Sequence, residues 1–180
     1  TIANAREHAE ALTGLPFEEL KAQVARTERE LLVLLPKPLD RRGERRRSPL
    51  LEAAYLARRL AEAGLKGLVF AGARKSAELI ARYAAHPLVR PYRAGYTARE
   101  RRRLEADLKE GRVRVLVSTS ALELGVDIGE LDAVVLVGYP GSTAAFWQRA
   151  GRAGRAERRA LLVYIPREDP MDEYFLHRPA

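Results

Sequence analysis

The sequence has no cysteine, which excludes disulfides and thiolate metal sites from its 180 residues. Its three histidines, His8, His86 and His177, are scattered without metal-ligand spacing, so no metal is expected to be bound by this chain. No apolar run reaches the roughly 18 residues needed for a membrane-spanning helix, so no membrane partner is expected. The opening TIANAREHAE carries Glu7 and Glu10 and lacks the apolar stretch of a secretory signal. Also absent is the phosphate loop GxxxxGK[ST], which supplies backbone N–H groups and a lysine to nucleotide phosphates. Nor does an apolar strand end in a metal-holding acidic pair. Asp172-Glu173 follows the polar run Arg167-Glu168-Asp169-Pro170-Met171 instead. These two absences mean that ATP chemistry here must be shared with another domain.

What is present describes a globular domain. Apolar residues make up 47% and charged residues 31%, with enough length for one real core. The net charge of +8 favours polyanions as partners, nucleic acid or nucleotide phosphates. Arginine outnumbers lysine, and its planar fork pairs with phosphate through two bonds at once.

Short apolar runs alternate with amphipathic stretches. Strands are expected at Leu31–Leu35, Gly67–Ala71, Val89–Arg93, Val113–Thr119, Ala133–Gly138 and Leu161–Ile165. Ser48-Pro49 opens a helix as N-cap and first helical residue, with Leu51, Tyr55, Leu56 and Leu60 along one stripe and Gly64 as its stop. A second runs from Lys75 to Ala85, with Leu79, Ile80 and Tyr83 inward. Thr97-Ala98-Arg99-Glu100 has the capping-box pattern for a third, with Leu104 and Leu108 inward until Gly111. The fold class is therefore α/β: a mostly parallel sheet of about six strands with helices on both faces. Ligands of such sheets bind outside the carboxyl ends of the strands. Residues 1–24 stand apart, since the helix Ala3–Leu12 and the break Thr13–Pro16 have no strand before them. They read as the end of a preceding domain plus a linker, with 25–180 as the domain proper. DRRGERRR, residues 40–47, is a charged loop.

Two segments carry chemistry. In Gln148-Arg149-Ala150-Gly151-Arg152-Ala153-Gly154-Arg155, a continuous helix would put Gln148, Arg152 and Arg155 on one face, at i, i+4 and i+7. Gly151 and Gly154 would permit close packing on another. Two guanidinium groups beside an amide suit a polyphosphate, and an arginine from a neighbouring domain can stabilise the charge of phosphoryl transfer. The second segment is VRVLVSTSALELGVDIGELD from Val113. Its strand ends in Ser118-Thr119-Ser120, and Ser120 to Glu123 has the capping-box pattern, so that hydroxyls and free N–H groups would form an anion site. Gly125-Val126-Asp127 then sets a carboxylate where a ribose hydroxyl could donate.

STSALELGVDIG resembles helicase motif V, and QRAGRAGR resembles motif VI. Leu68-Val69-Phe70 with Arg74, Lys75 and Glu78 resembles motif IV, and Tyr92-Arg93-Ala94-Gly95-Tyr96 resembles the "HAG" segment, with Arg93 in place of histidine. The four occur in the family's order across nearly the whole chain. They are similar to the second RecA-like domain, of the P-loop NTPase type, of superfamily-two helicases. Thr1-Ile2 with the helix that follows, Arg46-Arg47-Ser48, YPGS, Trp147-Gln148 and the terminal Asp172-x-Tyr174 with His177 resemble the mitomycin-repair-factor and Hrq-type DNA-repair helicases, relatives of RecQ.

The resemblance implies an ATP-dependent DNA helicase that moves 3′-to-5′ on single-stranded DNA in the cytoplasm at the nucleoid. ATP and Mg2+ would be held mainly by a first motor domain of the same polypeptide, outside this chain, so the chain alone would be inactive. Arg155 would be the arginine finger, Arg152 a second γ-phosphate contact and Gln148 a coupling residue. Asp127 and Gly125 would meet the nucleotide. Thr119, Ser118, Arg74 and Gly95 would meet the nucleic-acid backbone. Two other readings are an RNA helicase of the DEAD-box type, whose motif VI usually begins with histidine where Gln148 stands, and a RecA-like module that binds DNA without being a motor. A binding module has no need of a finger.

Overall fold

The computed structural model describes residues 4–18, 28–40, 42, 45–123, 126, 128–154 and 159–177. Six parallel strands form one sheet in the order β1-β6-β5-β2-β4-β3. They are β1 (Arg29–Val33), β2 (Gly67–Phe70), β3 (Val89–Pro91), β4 (Val115–Ser118), β5 (Ala133–Val137) and β6 (Ala160–Ile165). All six expected strands are there, with ends that differ by one or two residues at most of them. The helices are α1 (Ala5–Thr13), α2 (Pro49–Glu62), α3 (Arg74–Ala84), α4 (Ala98–Lys109), α5 (Thr143–Ala150) and α6 (Pro170–His177).

The alternation of side chains along each strand divides the core. Val69, Val117, Val135 and Val163 face a layer built on α2 and α3, through Ala53, Ala57, Ala77 and Ile80. Leu68, Phe70, Leu116, Val134, Leu136 and Leu162 face the opposite layer, with Leu108 of α4 and Ala150 at the end of α5. Central strands covered on both faces read as unbroken apolar runs, which is why β2, β4 and β5 are plain in the sequence. Strand β1 pairs only with β6, and its five residues are exposed.

The inward residues of two helices differ from expectation. Leu51 and Tyr55 are exposed, and α2 buries Ala53, Ala54, Ala57, Leu60 and Ala61. Small residues let α2 lie close against the sheet and α3, so the larger side chains stay outside. For the same reason α3 buries Ala77, Ile80 and Ala84 while Tyr83 faces out. The capping box of α4 forms in full: Thr97 Oγ1 accepts from Glu100 N at 3.2 Å, and Glu100 accepts from Thr97 N at 2.8 Å. Helix α1 buries none of its residues, and Gly14 ends it in the left-handed conformation (φ 69°).

Candidate nucleotide and nucleic-acid faces

The chemistry-bearing segments occupy two ends of the sheet. One group gathers at the carboxyl ends of β2, β4 and β3. Arg74 opens α3 just beyond β2, Thr119 follows β4 and is partly exposed, and Gly95 lies in the turn after β3, open on the side where a Cβ would stand. A crevice of about 300 Å³ lies at this edge, reaching Gly72, Thr119, Ser120, Gly138, Arg149 and Arg167. Among the described residues that line it the charged groups are Arg149, paired with Glu123, and Arg167, close to Asp169 and Asp172.

Ser118 differs from expectation. It is fully buried as the last residue of β4, and its hydroxyl finds no hydrogen-bond partner among the described residues, so in this structure it does not face a nucleic-acid backbone. The expected capping box at Ser120 is also absent. Ser120–Leu122 is a single 3-10 turn without a side-chain cap. The Glu123 carboxylate accepts instead from Arg149 Nε, at 3.0 Å, with both side chains 13% exposed. The Arg149 guanidinium stacks 5.3 Å from the centre of the Phe70 ring. In the "HAG"-like segment, Arg93 pairs with Glu78 and covers the Tyr96 ring at 4.7 Å. Tyr92 is buried and donates its hydroxyl to Glu105 at 2.7 Å; burial, then that bond, pushes its pKa up to about 12.

The second group lies toward the amino ends of β5 and β6. Helix α5 starts at Ser142, whose hydroxyl accepts from Ala145 N at 3.1 Å, and runs back along the sheet. It stops at Ala150, so the expected continuous face through Gln148, Arg152 and Arg155 does not exist. Gly151 N donates to Trp147 O, and the chain then tightens, with Arg152 N on Arg149 O and Ala153 N on Ala150 O, both at 3.1 Å. Gly154 takes a left-handed conformation (φ 76°) and donates to Leu131 O, just before β5. The second glycine serves to turn the chain rather than to pack a helix face. Its neighbour's carbonyl, at Ala153, accepts from Arg29 Nε at 2.9 Å.

Arg152 is committed to the motif V segment. Its Nε and Nη2 donate to Glu123 O at 3.1 and 2.6 Å, and its Nη1 donates to Val126 O at 2.7 Å. It thus clasps the chain on either side of residues 124 and 125. The Gln148 side chain is half-buried. Gly125, Asp127 and Arg155 lie outside the described residues. Motif VI therefore holds motif V twice, through Arg149 to a side chain and through Arg152 to the backbone. The sequence reading passed over Arg149, although it lies inside the motif, because a face drawn at i, i+4 and i+7 leaves it out.

Arg167 was also missed, with no motif to mark it, and Asp172 was named in the terminal Asp172-x-Tyr174 segment but given no role. Asp172, in the first turn of α6, is fully buried; Oδ1 accepts from Tyr139 N at 2.7 Å and from the Tyr164 hydroxyl. Burial, then the bond to Asp172, pushes the Tyr164 pKa up. Arg167 Nε lies 3.7 Å from Asp172 Oδ2 and its Nη2 3.5 Å from Asp169 Oδ2.

Among the described residues no helix is long and apolar enough to cross a membrane, and no group of His, Cys, Asp or Glu could hold a metal ion.

The sequence matches the helicase conserved C-terminal domain over residues 50–157. It is 38% identical to the ATP-dependent helicase YprA of Bacillus subtilis over 99% of the chain and 25% of that protein. It is 37% identical to the ATP-dependent helicase hrq1 of Schizosaccharomyces pombe over 74% of the chain and 14% of that protein. The crystal structure of the DUF1998 helicase MrfA bound to DNA superimposes with a TM-score of 0.86 at 37% identity, covering 99% of this chain and 25% of that one. The chain thus spans about a quarter or less of the length of these relatives. Likeness to the Saccharomyces cerevisiae Dbp5 bound to RNA, at 20% identity, is one of fold alone. With the motif-matched segments, the six-stranded parallel sheet and these homologues together, the chain belongs to the helicase conserved C-terminal domain family, as a RecA-like domain akin to those of YprA, Hrq1 and MrfA.

Proposed function

We propose that this chain is the second motor domain of an ATP-dependent DNA helicase of the mitomycin-repair-factor and Hrq type. It acts with a first motor domain on the same polypeptide, and moves 3′-to-5′ on single-stranded DNA in repair, in the cytoplasm at the nucleoid. The observation that carries this reading is the joining of motifs V and VI: Arg149 and Arg152 hold the segment that follows β4, and Arg149 also lines, with Thr119, Ser120 and Arg167, a crevice at the carboxyl ends of the strands. Support for DNA comes from MrfA, bound to DNA in one structure and to DNA with AMPPNP in another.

In this scheme residues 1–24 end the first motor domain and form the linker, and 25–180 make the second. Arg155 supplies the finger, Gln148 offers its amide to the phosphates, and Asp127 with Gly125 meets the ribose. Arg152 holds the loop that carries those two residues. A γ-phosphate contact by Arg152 would require it to exchange at least one of its carbonyl bonds. Guanidinium and amide groups suit phosphate oxygens, whereas Mg2+ takes carboxylate oxygens and water, so Mg2+ falls to the first motor domain. ATP supplies the free energy for closure of the two domains, and its hydrolysis lets them part. Thr119, Arg74 and Gly95 hold the DNA backbone between those movements.

The test is a titration of this chain with oligo-dT at two NaCl concentrations. Binding is expected to be weak, indifferent to base sequence and steeply salt-dependent, the log–log slope falling by about 0.7 per contacted phosphate. Salt-independent binding, or strong preference for one base sequence, would contradict a backbone-contacting face.

A further inference from the structure

Arg167 belongs to no helicase-like segment of the sequence, yet the fold places it with care. It follows β6 and reaches across the carboxyl ends of the neighbouring strands. A Cβ added at Gly138 would come within 2.8 Å of its Cζ, and one at Gly72 within 3.1 Å of its Nη1. The guanidinium therefore occupies the space a side chain at Gly138 would need and lies close over Gly72. Gly138 also has a φ of 80°, so its conformation and the arginine's path both call for glycine.

The two edges of the guanidinium have different surroundings. Nε is held toward Asp172 Oδ2, a buried oxygen with no hydrogen bond among the described residues, and Nη2 lies at the limit of hydrogen bonding from Asp169. Tyr139 N and Tyr164 bond the other carboxylate oxygen, which sets the orientation of Asp172. The Nη1 side faces Gly72 and the crevice shared with Thr119 and Ser120, and the side chain is 41% exposed. A fork anchored along one edge and open along the other is prepared for a second planar, bidentate partner. The hydroxyls of Thr119 and Ser120, and Gly141, open on the side where a Cβ would stand, complete a surface for a phosphodiester.

We infer that Arg167, oriented by Asp172, is a further contact to a backbone phosphate of the single strand, at the carboxyl ends of β2, β4 and β5. The inference rests on the proposed nucleic-acid face and adds to it a residue and the carboxylate that positions it.

The experiment measures oligo-dT binding against NaCl concentration for the parent chain, Arg167→Ala and Arg159→Ala. Arg159 is 85% exposed and adjoins the start of β6, at the other end of the sheet, so its loss changes net charge equally. Arg167→Ala is expected to weaken binding several-fold at low salt and to make the log–log slope shallower by about 0.7, one phosphate's worth, while Arg159→Ala leaves the slope unchanged. A parent chain without salt-dependent binding would sink the nucleic-acid face itself. A salt-dependent parent with equal slopes for the two variants would overturn the role of Arg167 alone. Should Arg167→Ala not fold, phenylglyoxal modification of the parent chain, read by mass spectrometry, gives the same answer. Oligo-dT is expected to protect Arg167, and orthophosphate at equal ionic strength to leave it reactive. Equal protection by orthophosphate would make the crevice a free-phosphate site, and no protection by oligo-dT would remove the contact.

Discussion

Replacing Arg155 with alanine, in the polypeptide that joins this chain to a first motor domain, is expected to lower kcat for ATP by on the order of 10³. The physical basis is charge. The phosphoryl group in flight spreads negative charge over its equatorial oxygens, and a guanidinium delivered from the second domain neutralises charge present only in the transition state. Nucleotide affinity should change far less, because ground-state phosphates are held mainly by the first domain. Arg155→Lys should recover little, since an ammonium cannot reproduce the planar fork. Oligo-dT binding should persist, because the residues proposed to face DNA, Thr119, Arg74 and Gly95, belong to other segments of the sequence. Steady-state turnover, a nucleotide titration and a DNA titration on the same protein decide it. A kcat within a few-fold of the parent, with DNA binding lost, would move Arg155 to the DNA surface.

Arg152→Ala is expected to act through a different quantity. It deletes three hydrogen bonds to the carbonyls of Glu123 and Val126 in a partly buried position. Bonds from a charged donor are worth more than neutral ones, and the acceptors left behind gain only partial access to water. The loss should be about 3 kcal/mol. For a chain of this size that lowers Tm by roughly 6–12 °C, readable by circular dichroism. Arg152→Lys should restore only a part, since a single ammonium cannot span two carbonyls from Arg152's three donor positions. An unchanged Tm with turnover abolished would instead assign Arg152 to the nucleotide, as a direct phosphate contact.

The sheet was legible in the sequence because its strands are covered on both faces, which makes β2, β4 and β5 unbroken apolar runs. The helix faces were less legible. Periodicity favours large residues, and α2 packs through alanines that weigh little in such a pattern. The family resemblance located motifs V and VI, but the geometry within them did not follow from spacing. Extending α5 through Gly151 and Gly154 overran its end, since the chain tightens after Ala150 with Gly151 still right-handed and then turns at Gly154, whose φ is positive; that error put Arg152 on a phosphate-facing stripe and left Arg149 out. Ser118 fell on the wrong side for a similar reason. The last residue of a central strand alternates into the core, whatever the chemistry of its side chain. Arg167 and Asp172 could not be read from local pattern, since their meeting at the tips of β5 and β6 depends on the folded chain alone.

The central claim is that this chain is half of a motor: it carries the groups that respond to the γ-phosphate and lacks the loop that holds the nucleotide. The most direct measurement is steady-state ATP hydrolysis by the purified 180-residue chain, with and without oligo-dT, beside the same chain joined to a first motor domain bearing GxxxxGK[ST]. The account predicts no turnover above background for the chain alone under either condition, and DNA-stimulated turnover for the joined protein. Clear DNA-stimulated hydrolysis by the chain alone would contradict it.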